Sequence, residues 1–188
     1  MRTRWIVAAV AALALASVAA GTLVEIRIAS LHGPSCAADA KTANLDFTMK
    51  DLNGQDVTLS QFKGSVILLD FWATWCGPCK VEIPAFIDFQ NKYKKDGLRV
   101  VGVSIDDTPE KLQPYVRDMH MNYTVLQGLG HDDVQNAYGP MWAIPVTVLI
   151  SREGKICATH MGLTDTAAFE REIQGLLKGT GMGWRWVI

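Results

Sequence analysis

Cys76 and Cys79 stand three residues apart in Trp75-Cys76-Gly77-Pro78-Cys79, a spacing at which two thiols can open and close a disulfide or form half of a metal site. The flanking residues decide between the two. Ser65 to Phe71 is an apolar run rich in β-branched residues with a single carboxylate, Asp70, and reads as a buried parallel strand. Beyond the motif, Val81, Ile83, Phe86, Ile87 and Phe89 are apolar, with Lys80, Glu82, Asp88 and Gln90 between them, which is roughly helical spacing. A strand that ends at the motif and a helix that begins there put both cysteines on one side of the first helical turn. At that end, unpaired backbone N–H groups and the helix dipole favour an anion, so the first thiol is disposed to ionise. The second is close enough to resolve a mixed disulfide. Zinc would need two more ligands at comparable spacing, and the sequence has no second Cys-x-x-Cys and no His-x-x-x-His. Redox chemistry is therefore the expected use of the pair.

Bulk properties exclude other classes. The chain has 188 residues and a net charge of −1, and without Arg2 and Arg4 the count is 16 basic against 19 acidic residues, or −3. No basic stripe exists on which nucleic acid would bind. Arg2 and Arg4 precede an uncharged run from Trp5 to Val24, broken only by Ser17, Gly21 and Thr22. About 20 apolar residues span a bilayer, and the basic residues before them place the N-terminus in the cytoplasm. An uncleaved anchor is the first reading, and a signal peptide cleaved after Ser17-Val18-Ala19 the second. In either case the folded part is exported, to the periplasmic side in a bacterium. Thiols tend to pair there. Cys36 and Cys157 remain once the motif is set aside, and their even number suggests a structural disulfide, with two free thiols as the alternative.

The positioning elements follow in order. Residues 1–25 are the leader, 26–42 a polar linker, 43–180 one domain and 181–188 a tail. Phe47–Lys50 and Gln55–Leu59 form a hairpin around Asp51-Leu-Asn-Gly54. The central strand and the cysteine helix come next, with a kink expected at Pro84. Leu98–Ser104 is a strand. A helix starts at Pro109 with Thr108 as its N-cap and should bend or split at Pro114. Tyr123–Leu126 is a strand, and His131–Tyr138 a helix ended by Gly139-Pro140. Pro145–Ile150 and Lys155–His160 form a hairpin, and Asp165–Lys178 a closing amphipathic helix. Strands alternating with helices give an α/β sandwich around a mixed sheet, with the motif at the carboxyl end of a central strand.

In this order the elements resemble the thioredoxin-like superfamily, and within it the membrane-anchored periplasmic reductases of the TlpA/ResA-like group. The resemblance runs from Leu45 to Lys178. It rests on Asp70-Phe71-Trp72-Ala73 leading into the Trp75–Cys79 motif, on Pro84, on Val101-Gly-Val-Ser-Ile-Asp106, on the extra helix between Pro109 and Met121, and on Ile144-Pro145 ahead of a strand. It implies a thioredoxin-like fold with a mixed central sheet, an N-terminal β-hairpin extension and an inserted helix. Cys76 would be the attacking nucleophile and Cys79 the resolving thiol. Pro145 would be cis, facing the cysteines, so that Ile144 holds an extended client segment beside Trp75, Gly77 and Pro78. Asp70 and Glu82 both match carboxylates that handle the proton of the second cysteine. A structural acid at Asp70 and a solvated helix residue at Glu82 are the alternatives. Gly77-Pro78 resembles the dipeptide of reductive members. The implied partners are apocytochrome c or copper-site assembly proteins, with electrons returned by a membrane thiol relay. No cofactor and no metal is implied.

Two rival chemistries use the same cysteines. A peroxiredoxin-like peroxidase would need a proline and a threonine or serine at fixed spacing before its cysteine, and the residues ahead of Cys76 lack them. A copper-binding chaperone would use Cys76 and Cys79 with a histidine such as His131. His120, His131 and His160 are otherwise expected to be surface or strand residues, and Trp72, Trp75 and Trp142 to pack around the redox turn, with Trp75 partly exposed. Trp184 and Trp186 in the tail are candidates for a membrane interface.

Overall fold

The computed structural model describes residues 36–139 and 141–179. The leader, the linker up to residue 35, Pro140 and the tail with Trp184 and Trp186 lie outside the described residues. Among those described, no helix is long and apolar enough to cross a membrane.

The elements are β1 (Thr48–Lys50), β2 (Asp56–Thr58), β3 (Val66–Trp72), α1 (Gly77–Tyr93), β4 (Leu98–Ser104), α2 (Pro109–Asp118), β5 (Thr124–Gln127), α3 (Asp132–Tyr138), β6 (Val146–Ile150), β7 (Ile156–Met161) and α4 (Thr166–Lys178). A five-stranded sheet runs β5-β4-β3-β6-β7. β3, β4 and β5 are parallel, β6 runs antiparallel to β3, and β7, antiparallel to β6, returns to the direction of β3. This is the thioredoxin-like architecture. Every residue of β3 is buried, as its unbroken apolar run requires of a central strand covered on both faces.

Alternation along the strands divides the core. Val66, Leu68 and Trp72 face α1, α2 and α4, meeting Ile83, Phe86, Leu112, Phe169 and Ile173. Ile67, Leu69 and Phe71 face the other way, towards α3 and the β1–β2 hairpin, meeting Val134, Tyr138 and Met49. Each buried Leu, Ile or Phe contributes roughly 1.5–3 kcal/mol, which ties the motif's strand and helix into both layers.

The helices run continuously through Pro84 and Pro114, so the second is not split. A proline inside a helix removes one backbone bond, and buried neighbours on the same helix, such as Ile83 and Leu112, hold the backbone in place. Thr108 caps α2 by position, with no capping bond from its side chain to a backbone N–H. The second hairpin strand stops at Thr58, because Leu59–Phe62 turn into a short 3-10 segment that buries Leu59. The stretch from Cys36 also lies along β7. Thr42 bridges Lys155, and Ile156 N–H donates to Lys41 O at 2.8 Å.

Candidate redox site

Cys76 is the N-cap of α1. Its Sγ accepts the Cys79 N–H at 3.2 Å, one of the donors a helix start leaves unpaired. Pro78 in the first turn suits a position whose N–H would have had no partner. The cysteines are bonded to each other, with Cα atoms 5.3 Å apart. Both residues are buried in this oxidised form, Cys76 2% and Cys79 1% exposed. Exposure therefore does not separate them. Their surroundings do. Cys76 Sγ holds the cap position, and Ile144 O lies 3.6 Å from it. The Ile144–Pro145 peptide is cis. Gly162 N–H donates to Pro145 O at 2.8 Å, closing the end of β7 onto this loop.

The turn ahead of Cys76 is held by groups that no local pattern marks. Asp107, buried, accepts from Thr74 N–H at 2.7 Å, Thr74 Oγ1 at 2.6 Å and Ser104 Oγ at 2.8 Å. It fixes the motif to the end of β4. Trp75 is 60% exposed, and its indole N–H donates to Asp106 at 3.0 Å. Trp72 is fully buried. Trp142 is 88% exposed, which corrects the expectation of packing around the turn. It stands in the loop between α3 and β6, where the layered elements do not cover it.

Two buried carboxyl groups stand on the strand and the helix that flank the dithiol. Asp70 is buried on β3, and Thr147 Oγ1 donates to its Oδ1 at 3.3 Å from the opposite position of β6. Burial, and then the nearby Glu82 carboxylate, push its pKa well above the ordinary range, with Thr147 opposing. Glu82 is buried on the inner face of α1. Its Oε1 accepts the Thr164 N–H at 2.8 Å, and Oε2 is buried with no partner among the described residues. Burial raises its pKa, while the Thr164 N–H and the charge of His160 pull it back. These placements bring Cys76, Cys79, Asp70, Glu82, Ile144 and Pro145 into one region. The histidines go elsewhere. His131 caps α3, His120 sits after α2 at a positive φ, and His160 is on β7. Cys36 and Cys157 form a second disulfide at the far end of β7.

The AhpC/TSA family model matches residues 40–159. The thiol-disulfide oxidoreductase ResA of Bacillus thuringiensis subsp. konkukian is 31% identical over 111 residues, which is 59% of this chain and 63% of that protein. The chain thus spans less than two thirds of that relative's length. ResA of Bacillus subtilis is 30% identical over 133 residues, covering 71% of this chain and 73% of the relative. A solved structure from Chlorobium tepidum, assigned as a thiol:disulfide interchange protein DsbE, superposes with a TM-score of 0.68 at 33% identity, covering 76% of this chain and 99% of the other.

Proposed function

The chain belongs to the AhpC/TSA family, in the ResA-like company of thiol–disulfide oxidoreductases, and from this membership and the geometry of the dithiol we propose that it reduces disulfides of client proteins on the exported side of a membrane. The observation that carries the reading is the Cys79 N–H on Cys76 Sγ, with Ile144 O beside the same sulfur. A helix N-cap stabilises a thiolate at Cys76, and the Ile144 backbone offers an edge on which an extended client segment is held.

The chemistry balances in two exchanges. In the reduced protein, the Cys76 thiolate attacks one sulfur of the client disulfide, forming a mixed disulfide and releasing the first client thiolate. Cys79 then gives its proton to the buried carboxyl pair and attacks Cys76 Sγ. The second client thiolate leaves, and the Cys76–Cys79 bond holds the two electrons' worth of oxidation. A membrane dithiol relay restores the reduced form. The basic start and apolar run of residues 1–24 support tethering to the inner membrane with the domain in the periplasm. Gly77-Pro78 supports the reductive direction. The family resemblance supports apocytochrome c or copper-site assembly proteins as clients.

Trapping tests the roles. Cys79→Ser should accumulate a mixed disulfide with a client, visible on a non-reducing gel, and Cys76→Ser should accumulate none. Equal trapping by both variants would reverse the assignment. The reduction potential of the Cys76–Cys79 pair tests direction, since a strongly oxidising value contradicts a reductase.

A further inference from the structure

Asp70 and Glu82 are two buried acids on the strand and the helix that flank the dithiol, and their mutual repulsion favours a single charge between them. They differ in what they can accommodate. Glu82 receives a backbone N–H, a group that only donates and so suits a carboxylate. Its other oxygen is buried and free to take a proton. Asp70 has a longer contact with the Thr147 hydroxyl, which can accept as well as donate.

A base completes the arrangement from the sheet edge. Asp70, Thr147 and His160 are directly opposed across β3, β6 and β7, so they share the face covered by α1 and α4. At about 4.8 Å per strand, the His160 backbone is about 10 Å from that of Asp70. The row runs from full burial to water. The His160 side chain is 20% exposed, its ring stands edge-on to Phe169 at 4.9 Å, and its Nε2 is 2.7 Å from Glu172 Oε2 of α4. The charged groups facing it are Glu172 from α4, Glu82 from α1 and Asp70 from β3, while β6 brings only Thr147. Glu170 of α4 is engaged by Lys92 at 2.6 Å and Tyr93 at 2.7 Å.

We infer that His160, clamped by Glu172, is a positioning residue that supplies the positive charge against which Glu82 ionises, so that Glu82 takes the Cys79 proton while Asp70 keeps its own. This rests on the reading above in which the buried acids serve Cys79. In the release step the Cys79 S–H bond breaks, an O–H bond forms on Glu82, the new thiolate attacks Cys76 Sγ and the client thiolate leaves.

The test is single-turnover release of glutathione from its mixed disulfide at Cys76, followed against pH by quenched flow in the full chain. His160→Gln should move the inflection of the profile upward by about half a pH unit, slowing release about threefold below it. His160→Lys should bring it back. In a Glu82→Gln background, His160→Gln should change nothing further, because its route of action is gone. His160→Asn serves as a second neutral variant if glutamine is not accommodated. A profile that moves with Glu82→Gln but not with neutral His160 variants overturns the inference alone. An equal shift from His160→Gln with and without Glu82 also overturns it. Unchanged profiles in both Asp70→Asn and Glu82→Gln remove the role of the acids, and the inference with it.

Discussion

Asp70 shows how a single residue trades stability for chemistry. A carboxyl group that burial makes reluctant to ionise binds its proton more tightly in the folded chain than in the unfolded one. Between the ordinary aspartate value of 3.8 and the raised folded value, the folded state holds the extra proton. Stability therefore falls as pH rises through that window, and the full cost stands above it. Asp70→Asn removes the titration. It should raise the melting temperature at neutral pH by a few degrees, roughly what 1–2 kcal/mol does in a chain of this size, while leaving acid stability near pH 3 little changed. Thermal melts across pH read this directly. An unaltered pH dependence of stability would mean that Asp70 does not titrate in the fold. Sequence pattern placed Asp70 correctly, since a lone carboxylate in an unbroken apolar strand has nowhere to go but the core. It left the setting of Glu82 open, because the same helical spacing serves a solvated position, and burial there depends on the Thr164 loop arriving from the end of β7.

At the scale of elements, the motif is only as well placed as the turns that hold it. β4 was legible to the residue, Leu98–Ser104, because its apolar run is broken only by Arg99 and Gly102 and ends in a polar cluster. The strand–helix unit around the cysteines was legible for the same reason. The carboxylate that fastens the two was not. Asp107 follows the strand in a segment without periodicity, and its main partner, Thr74, is 33 residues away in the chain. Trp142 failed for the converse reason, since composition marks a tryptophan as core material and only the layered arrangement shows that nothing covers this loop. Asp107→Ala strips the acceptor from Thr74 N–H, Thr74 Oγ1 and Ser104 Oγ together. Leaving buried donors unpaired should cost about 2–4 kcal/mol in urea unfolding. The reduction potential of the dithiol should move as well, because the turn carrying Cys76 loses its anchor to β4. A variant that unfolds normally and keeps its potential would show that α1 alone fixes the motif.

The whole molecule is closed by its other disulfide. β7 is an edge strand, and an uncovered edge offers unpaired backbone groups to any neighbouring chain. The segment after Cys36 covers part of it, with Ile156 N–H donating to Lys41 O and Ala43 N–H to Gly154 O, both at 2.8 Å. The Cys36–Cys157 bond fixes this cover across a sequence separation of 121 residues, enclosing most of the described fold in one loop. Chain entropy in the unfolded state assigns a bond of that span roughly 4–5 kcal/mol, an upper figure because a compact unfolded chain has less freedom to lose. Replacing both cysteines with serine avoids stray thiols that could exchange with Cys76 and Cys79. The double variant should lose a large part of that stability in urea, and hydrogen exchange should quicken at the amides of Ala43 and Ile156 while those of β3 keep their order. Turnover of a small disulfide below the melting range should change little, because the bond lies at the opposite end of β7 from Pro145. Mild reduction of the parent should open Cys76–Cys79 first, since a structural bond has the lower potential. If the serine variant unfolds at the same urea concentration as the parent with the same slope, backbone pairing alone secures the cover, and the disulfide only records where the segment already lay.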